Sequence, residues 1–171
     1  MTTITHDIDL LKASIISSIE KNKQTYLTTS HQIHERPEIG NQEYFASELL
    51  KNLLVTEGFT IESNVAGHET AFIARKKAAK PGPVIGFLAE YDALPGLGHA
   101  CGHNIIGTTS TAAAIAFSKV IEETGGEAVV FGTPAEEGGP NGSAKGSFVK
   151  HGLTEGIDTF MMIHPGNETR V

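Results

Sequence analysis

The spacing of apolar residues divides the chain into segments with a helical period and segments with a strand period. From about residue 8 to 30, and again from 42 to 57, apolar residues recur at every third or fourth position, which predicts two amphipathic helices. Gly58 directly follows the second segment and is predicted to be its left-handed cap. A third helix is predicted from Asn104, as its N-cap, to about Glu123.

Short apolar runs predict the strands. The predicted strands lie at 59–63, 70–75, 84–89, 128–131 and 159–163. The last three are continuous apolar runs, which is typical of strands buried on both faces. A short helix at 144–151 is predicted to separate the last two strands. Strands that alternate with helices favour an α/β fold with a mostly parallel sheet, covered by helices on both faces.

Composition excludes several classes of protein. With 13 basic and 20 acidic residues the formal charge is −7, which argues against a nucleic-acid binder. No apolar run approaches the roughly 18 residues that a membrane helix needs. The first residues carry no basic stretch followed by an apolar run, so no signal peptide is expected. Together with the single cysteine, this predicts a cytoplasmic protein without a nucleic-acid or membrane partner.

Titratable side chains follow the three apolar strands at the points where the strands end. In chain order they are Glu90, Asp92, His99, Cys101 and His103 after the first strand, Glu136 and Glu137 after the second, and His164 after the third. Because the carboxyl ends of parallel strands meet at one edge of a sheet, we expect these side chains to converge. His68 and His151 have no such neighbours in the sequence and are predicted to take no part in the chemistry.

The segment His99-x-Cys101-x-His103 predicts a metal site. In an extended segment these three side chains face the same way, and thiolate with imidazole suits zinc and related metals. The segment leads into a helix N-terminus, which is expected to lower the pKa of the thiol. Two alternatives are an inert buried cysteine and a cysteine-nucleophile hydrolase that uses Cys101 and His103. The second leaves the glutamate pair and His164 unexplained.

The adjacent Glu136 and Glu137 point in different directions, so each can take a different task. One can bind a metal, and the other can act as a general base on water; the alternative is a solvated acidic turn. Asp92 is predicted to orient a ligand histidine, and Glu90 to lie beside it. A turn-capping aspartate, a surface glutamate and, for His164, a polar surface histidine are the structural alternatives.

These motifs resemble those of the M-twenty metallopeptidases, and within them the amidohydrolase branch. The resemblance rests on segments 90–95, 99–104 and 132–139, and on the upstream segment 34–40. Asn104, after the Cys-Gly-His motif, favours the group that resembles aminobenzoyl-glutamate hydrolase and Xaa-Arg dipeptidase.

The resemblance implies a zinc-exopeptidase-like catalytic domain that holds two divalent metal ions (Zn, Mn, Co or Ni). It implies metal ligation by Cys101, His103, Glu137 and His164, general-base catalysis by Glu136, and supporting positions for Asp92, Glu90 and His99. The implied reaction is hydrolysis of an amide or peptide bond in a small substrate, a dipeptide or an N-acyl or N-aroyl amino acid.

Members of this family are considerably longer than this chain. Residues 1–171 are therefore expected to be the N-terminal part of the catalytic domain. The lid and dimerisation domain, and a further histidine ligand, would lie outside it. The resemblance implies a homodimer only for a full-length chain. The alternative function is a truncated, non-catalytic fragment of such an enzyme.

Overall fold

A computed structural model describes residues 7–168, so most of the segment on which we based the signal-peptide prediction lies outside the described residues. The helices are α1 (Ile8–Glu35), α2 (Tyr44–Thr56), α3 (His103–Phe117), α4 (Ile121–Thr124) and α5 (Ala144–Lys150). The strands are β1 (Thr60–Ser63), β2 (Phe72–Lys77), β3 (Val84–Ala89), β4 (Glu127–Gly132) and β5 (Thr159–Met161). The predicted α/β class is confirmed.

The five strands form one sheet in the order β1-β2-β4-β3-β5. Strand β3 pairs in parallel with β4 and β5, whereas β2 pairs antiparallel with β1 and β4. Among the described strands β2 alone is therefore reversed, because a short turn joins it to β1 instead of a crossover helix. The mostly parallel sheet is confirmed with this one exception.

Helices cover both faces of the sheet at its central strands, as predicted. The edge strand β5 is exposed, so its predicted burial is wrong. Alternate residues of β2 and β4 point to opposite faces. Phe72 and Val130 belong to the core beneath α1, α2 and α3. Ile73 and Phe131 belong to a second core, which Phe148 of α5 closes.

Three helix boundaries differ from the prediction. Helix α1 continues to Glu35, and α3 ends at Phe117 instead of near residue 123. The N-cap of α3 is Gly102, not Asn104. The Asn104 amide instead donates to the Ser30 hydroxyl (3.0 Å), so a contact with α1 decides its position.

The predicted cap of α2 is confirmed. Gly58 has a φ of 83°, and its N–H donates to the Val55 carbonyl. The next N–H, of Phe59, reaches back to the Leu54 carbonyl, which completes a Schellman motif. Within residues 7–168, no helix combines the length and the apolar character that crossing a membrane requires. The cytoplasmic location stays a prediction.

Candidate metal centre

The parallel pairing of β3 and β4 brings their polar ends together. Ala89 lies opposite Gly132 in the register, so the residues after each strand leave the sheet at the same level. Glu90 and Asp92 follow β3, and Glu136 follows β4. The convergence expected from the sequence is therefore present in the fold.

His103 lies at the centre of this edge and is completely buried. Its Nδ1 is 2.9 Å from Asp92 Oδ1. Its Nε2 has no hydrogen-bond partner among the described residues. Three carboxylate oxygens surround that nitrogen, from Glu90 at 3.4 Å, Glu137 at 3.6 Å and Glu136 at 4.0 Å. When only Nδ1 carries a proton, the Nε2 lone pair faces negative charge, which either a second proton on the ring or a metal ion at Nε2 would compensate.

Two overlapping groups of donor atoms share His103. Cys101, His103 and Glu137 form one group, and Glu90, His103 and His164 form the other. Within each group all donor atoms lie within 4.8 Å of one another. Sulfur, imidazole and carboxylate donors together suit zinc and its neighbours, so the residues present fit a divalent metal centre.

Asp92 connects the two strand ends. One of its oxygens holds the His103 ring, and the other accepts the backbone N–H of Glu137 at 3.2 Å. This carboxylate therefore fixes the orientation of His103 and the backbone position of Glu137 together, which is what its predicted orienting role requires.

Several known proteins are similar to this chain. It is 38% identical over 170 residues to one of the subunits of p-aminobenzoyl-glutamate hydrolase from Escherichia coli K12, a match that covers 88% of this chain and 34% of that protein. It is 34% identical over 178 residues to human Xaa-Arg dipeptidase, covering 95% of this chain and 40% of the dipeptidase. The chain thus spans well under half the length of these curated relatives. No protein-family model matches it.

Solved structures share its fold. A Bacillus subtilis protein described as a dinuclear metal binding peptidase from the M20 (M-twenty) family superposes with a TM-score of 0.72 at 24% identity, covering 82% of this chain and 42% of that one. An aminobenzoyl-glutamate utilization protein from Klebsiella pneumoniae gives 0.70 at 18% identity, covering 90% and 46%. The chain therefore shares the fold of part of an M-twenty peptidase. The resemblance carried by its motifs is confirmed, and its relatives are named as hydrolases, dipeptidases and carboxypeptidases.

The acidic surroundings of this site raise the pKa of the Cys101 thiol to about 11, first through a hydrogen bond to Glu137 and then through desolvation. The charges of Asp92 and Glu136 act in the same direction. The prediction that a helix N-terminus would lower this pKa is therefore wrong for the metal-free protein. Burial acts to lower the pKa of His103, but its hydrogen bond to Asp92 and the nearby carboxylates raise it overall.

His99 does not join either donor group. Residues 99–102 form a turn, closed by the Gly102 N–H on the His99 carbonyl at 3.0 Å, so the predicted extended segment is wrong. The His99 ring lies 6.3 Å from that of His34. Burial lowers the pKa of His99, and the neighbouring His34 and His103 lower it further. Neither ring nitrogen of His99 has a hydrogen-bond partner among the described residues.

Gly102 allows His164 to approach the site. Its φ is 78°, and a Cβ at this position would lie 2.7 Å from Cγ of Pro165. Glycine is therefore required both by the backbone conformation and by the contact. The close approach of Pro165 places the ring of His164 with its centroid 6.1 Å from that of His103.

An open cleft of about 520 Å³ lies beside Cys101 and His164, and it is large enough for a small substrate. A larger groove of about 800 Å³, mostly apolar, lies next to it between α1 and α3. None of the four predicted metal ligands lines that groove. Two of these predicted ligands, Cys101 and His164, line the smaller cleft.

Sequence reasoning missed Glu43, whose side chain holds the backbone directly before the glutamate pair. Its buried carboxylate accepts the Ala135 N–H at 2.9 Å and the Thr70 hydroxyl at 2.7 Å. Ala135 has a φ of 54°, a conformation that alanine rarely adopts, directly before Glu136. Burial raises the pKa of Glu43. In the sequence this glutamate is indistinguishable from any other residue at the start of a helix.

The upstream segment 34–40 packs beneath the same strand end. A Cβ on Gly40 would lie 3.0 Å from Cα of Ala135, so a side chain there would push against the backbone that precedes Glu136. The carbonyl of Glu38 accepts the Ala93 N–H at 2.8 Å, which attaches the segment to the loop after β3. This explains why a segment with no ligand accompanies the motifs of the site.

Lys145 is the second residue that the sequence did not reveal. It lies on α5, and its ammonium pairs with Glu90 and lies 3.6 Å from Glu136 Oε1. It is thus the basic side chain that the structure places in contact with the acidic cluster.

Proposed function

We propose that this chain carries the larger part of a two-metal amidohydrolase site. In this proposal Cys101, His103, Glu137 and His164 hold two divalent ions, and Glu136 is the general base. The observation that carries it is the buried Nε2 of His103, which faces three carboxylates without a hydrogen-bond partner among the described residues.

Divalent ions bound there would polarise a substrate carbonyl and increase the acidity of water. The Glu136 carboxylate is about one-third exposed and borders the same space, so it accepts the proton of the attacking water. It then returns that proton to the leaving amine nitrogen. Glu137 is directed instead towards Cys101, with which it shares a hydrogen bond.

The proposed substrates are small molecules with an amide or peptide bond. The relatives are named for p-aminobenzoyl-glutamate and for Xaa-Arg dipeptides, and both are small substrates that a cleft of about 520 Å³ accommodates. We therefore propose a dipeptide or an N-acyl or N-aroyl amino acid. Because the relatives are much longer, turnover and homodimer formation are proposed for a protein that includes the remaining part of their length.

The environment of Cys101 opposes the cysteine-nucleophile alternative. An activated thiol needs a lowered pKa and a base that removes its proton. Here the carboxylate of Glu137 accepts a hydrogen bond from the thiol, and the pKa is raised to about 11. In a metal-loaded site Cys101 would lose that proton and hold the ion as a thiolate.

Cobalt titration of the chain with two matched variants tests the metal assignment. We expect Glu137→Gln to weaken Co²⁺ binding by about 10–100-fold, because the substitution removes a ligand. Glu136→Gln should leave the cobalt absorption spectrum unchanged. An equal loss of binding in the two variants would contradict the separate roles of the pair.

Hydrolysis of p-aminobenzoyl-glutamate and of an Xaa-Arg dipeptide, assayed with Co²⁺, Zn²⁺ or Mn²⁺, separates the enzyme from the non-catalytic fragment. Turnover that Glu136→Gln abolishes while metal stays bound supports the general base. Metal binding without turnover by the chain favours the fragment.

A further inference from the structure

The ion pair between Lys145 and Glu90 lies at the inner wall of the metal site. The Glu90 carboxylate is almost completely buried, and its two oxygens have different surroundings. Oε1 contacts the Lys145 ammonium. Oε2 has no hydrogen-bond partner among the described residues and lies 3.4 Å from Nε2 of His103. One carboxylate is therefore held between a fixed cation and the space for a metal.

Lys145 is held in this position by the start of α5. The Ala144 N–H donates to the Pro134 carbonyl at 3.2 Å, so the first turn of the helix is attached to the end of β4. Ala144 is fully buried, and Phe148, one turn later, packs in the core. The lysine backbone is thus fixed, and only about a third of its side chain is exposed.

We propose that Lys145 is a positioning residue that holds Glu90 out of metal coordination. The geometry places Glu90 within reach of a metal bound to His103, and its carboxylate would otherwise compete with His164 and Glu137 as a ligand. An ammonium is a compact point charge, and its attraction holds the Glu90 carboxylate towards Lys145 and away from the metal. This inference rests on the proposed metal site.

The charge balance of the site indicates a second role for Lys145, which is to compensate negative charge. The potential anions are the carboxylates of Glu90, Asp92, Glu136 and Glu137 and the thiolate of Cys101. Two divalent ions supply four positive charges, and Lys145 supplies the fifth. The lysine therefore makes the site neutral with two ions bound, and this compensation matters most for the buried carboxylates of Glu90 and Asp92.

The test compares Co²⁺ binding to the unsubstituted chain with binding to Lys145→Met. We expect the variant to bind Co²⁺ about tenfold more tightly, because a repelling charge is gone and Glu90 is free to coordinate. Its visible absorption should weaken as the coordination number rises. Lys145→Arg keeps the charge and should behave like the unsubstituted chain. Lys150→Met removes an exposed lysine of the same helix and is the matched control.

Glu90→Gln supplies an arm that does not depend on the folding of Lys145→Met. Because Glu90 is not a ligand in this proposal, its cobalt spectrum should match that of the unsubstituted chain. A changed spectrum would mean that Glu90 already coordinates, which would overturn the inference. The double variant Glu90→Gln/Lys145→Met should lose the tighter binding.

An unchanged affinity and spectrum in Lys145→Met would show that the ion pair is only structural, and the inference alone would fail. Absence of Co²⁺ binding by the unsubstituted chain would overturn the proposed metal site together with the inference. The two failures are therefore distinguishable in one set of titrations.

Discussion

Two buried histidines, His68 and His103, are almost equally inaccessible to solvent but have opposite surroundings. Both ring nitrogens of His68 are paired, with Asn41 Oδ1 at 2.7 Å and with Ser147 Oγ at 2.9 Å. Among residues 7–168, His103 is paired only at Nδ1, and its other nitrogen faces carboxylates. Burial alone therefore does not distinguish a structural histidine from a functional one.

The partners explain the difference. His68 contacts neutral amide and hydroxyl groups, and burial, with a contribution from His151, lowers its pKa. The pKa of His103 is raised despite burial, because Asp92, Glu90 and Glu136 favour its charged form. A histidine with both ring nitrogens hydrogen-bonded, such as His68, connects the segments that it contacts. A ring nitrogen without a partner among carboxylates, as in His103, is able to bind a cation.

The largest expected effect is a loss of metal affinity when His103 is replaced, which we do not expect when His68 is replaced. His103→Gln should reduce Co²⁺ affinity by at least about 100-fold, because both donor groups share this ligand. Isothermal titration calorimetry measures the loss. If His103→Gln bound Co²⁺ as tightly as the unsubstituted chain, the unpaired nitrogen would have no functional meaning.

The next effect is on stability. His68→Ala leaves Asn41 and Ser147 without their partner, and we expect the free energy of unfolding to fall by about 2 kcal/mol. Urea denaturation of the metal-free protein measures it. The exposed His151, changed to alanine, is the control and should shift stability by less than about 0.5 kcal/mol. Loss of Co²⁺ affinity in His68→Ala, with stability retained, would reverse the comparison.

The smallest effect is a pH dependence. Because the pKa of His68 is lowered in the folded state, the unfolded state binds more protons as the pH falls. The stabilising contribution is present above the ordinary pKa of 6.5 and is lost as the pH decreases through the folded value. The pKa of His103 is raised in the folded state, so its stabilising contribution is present below its ordinary pKa and is lost as the pH rises through the folded value. His68→Gln should therefore lose stability less steeply between about pH 7 and about pH 5, as urea denaturation across that range would show. Parallel profiles would contradict this.

The strand ends could be predicted from the sequence because the signal is local. An apolar run followed within a few residues by carboxylates or histidines occurs three times, and parallel pairing then brings the ends together. The register pair Ala89 and Gly132 shows the physical reason, since both strands leave the sheet at one level.

The supporting contacts could not be predicted, because they join residues far apart in the chain. Glu43 lies 92 positions from Ala135, and Lys145 lies 55 positions from Glu90. The local pattern around each residue fits an ordinary helix. The same holds for Asn104, whose contact with Ser30 outweighs its preference for an N-cap. The hydrogen bonds of His68 to Asn41 and Ser147 could not be predicted for the same reason.

The contact between Gly102 and Pro165 has a consequence for how the sequence can vary. A side chain at position 102 would meet the proline ring, so position 102 cannot change by itself without displacing Pro165 and the neighbouring His164. The two positions, 63 residues apart in the sequence, are therefore coupled through this contact. We expect a larger residue at 102 in related sequences only where 165 has become smaller and the loop has been rebuilt with it.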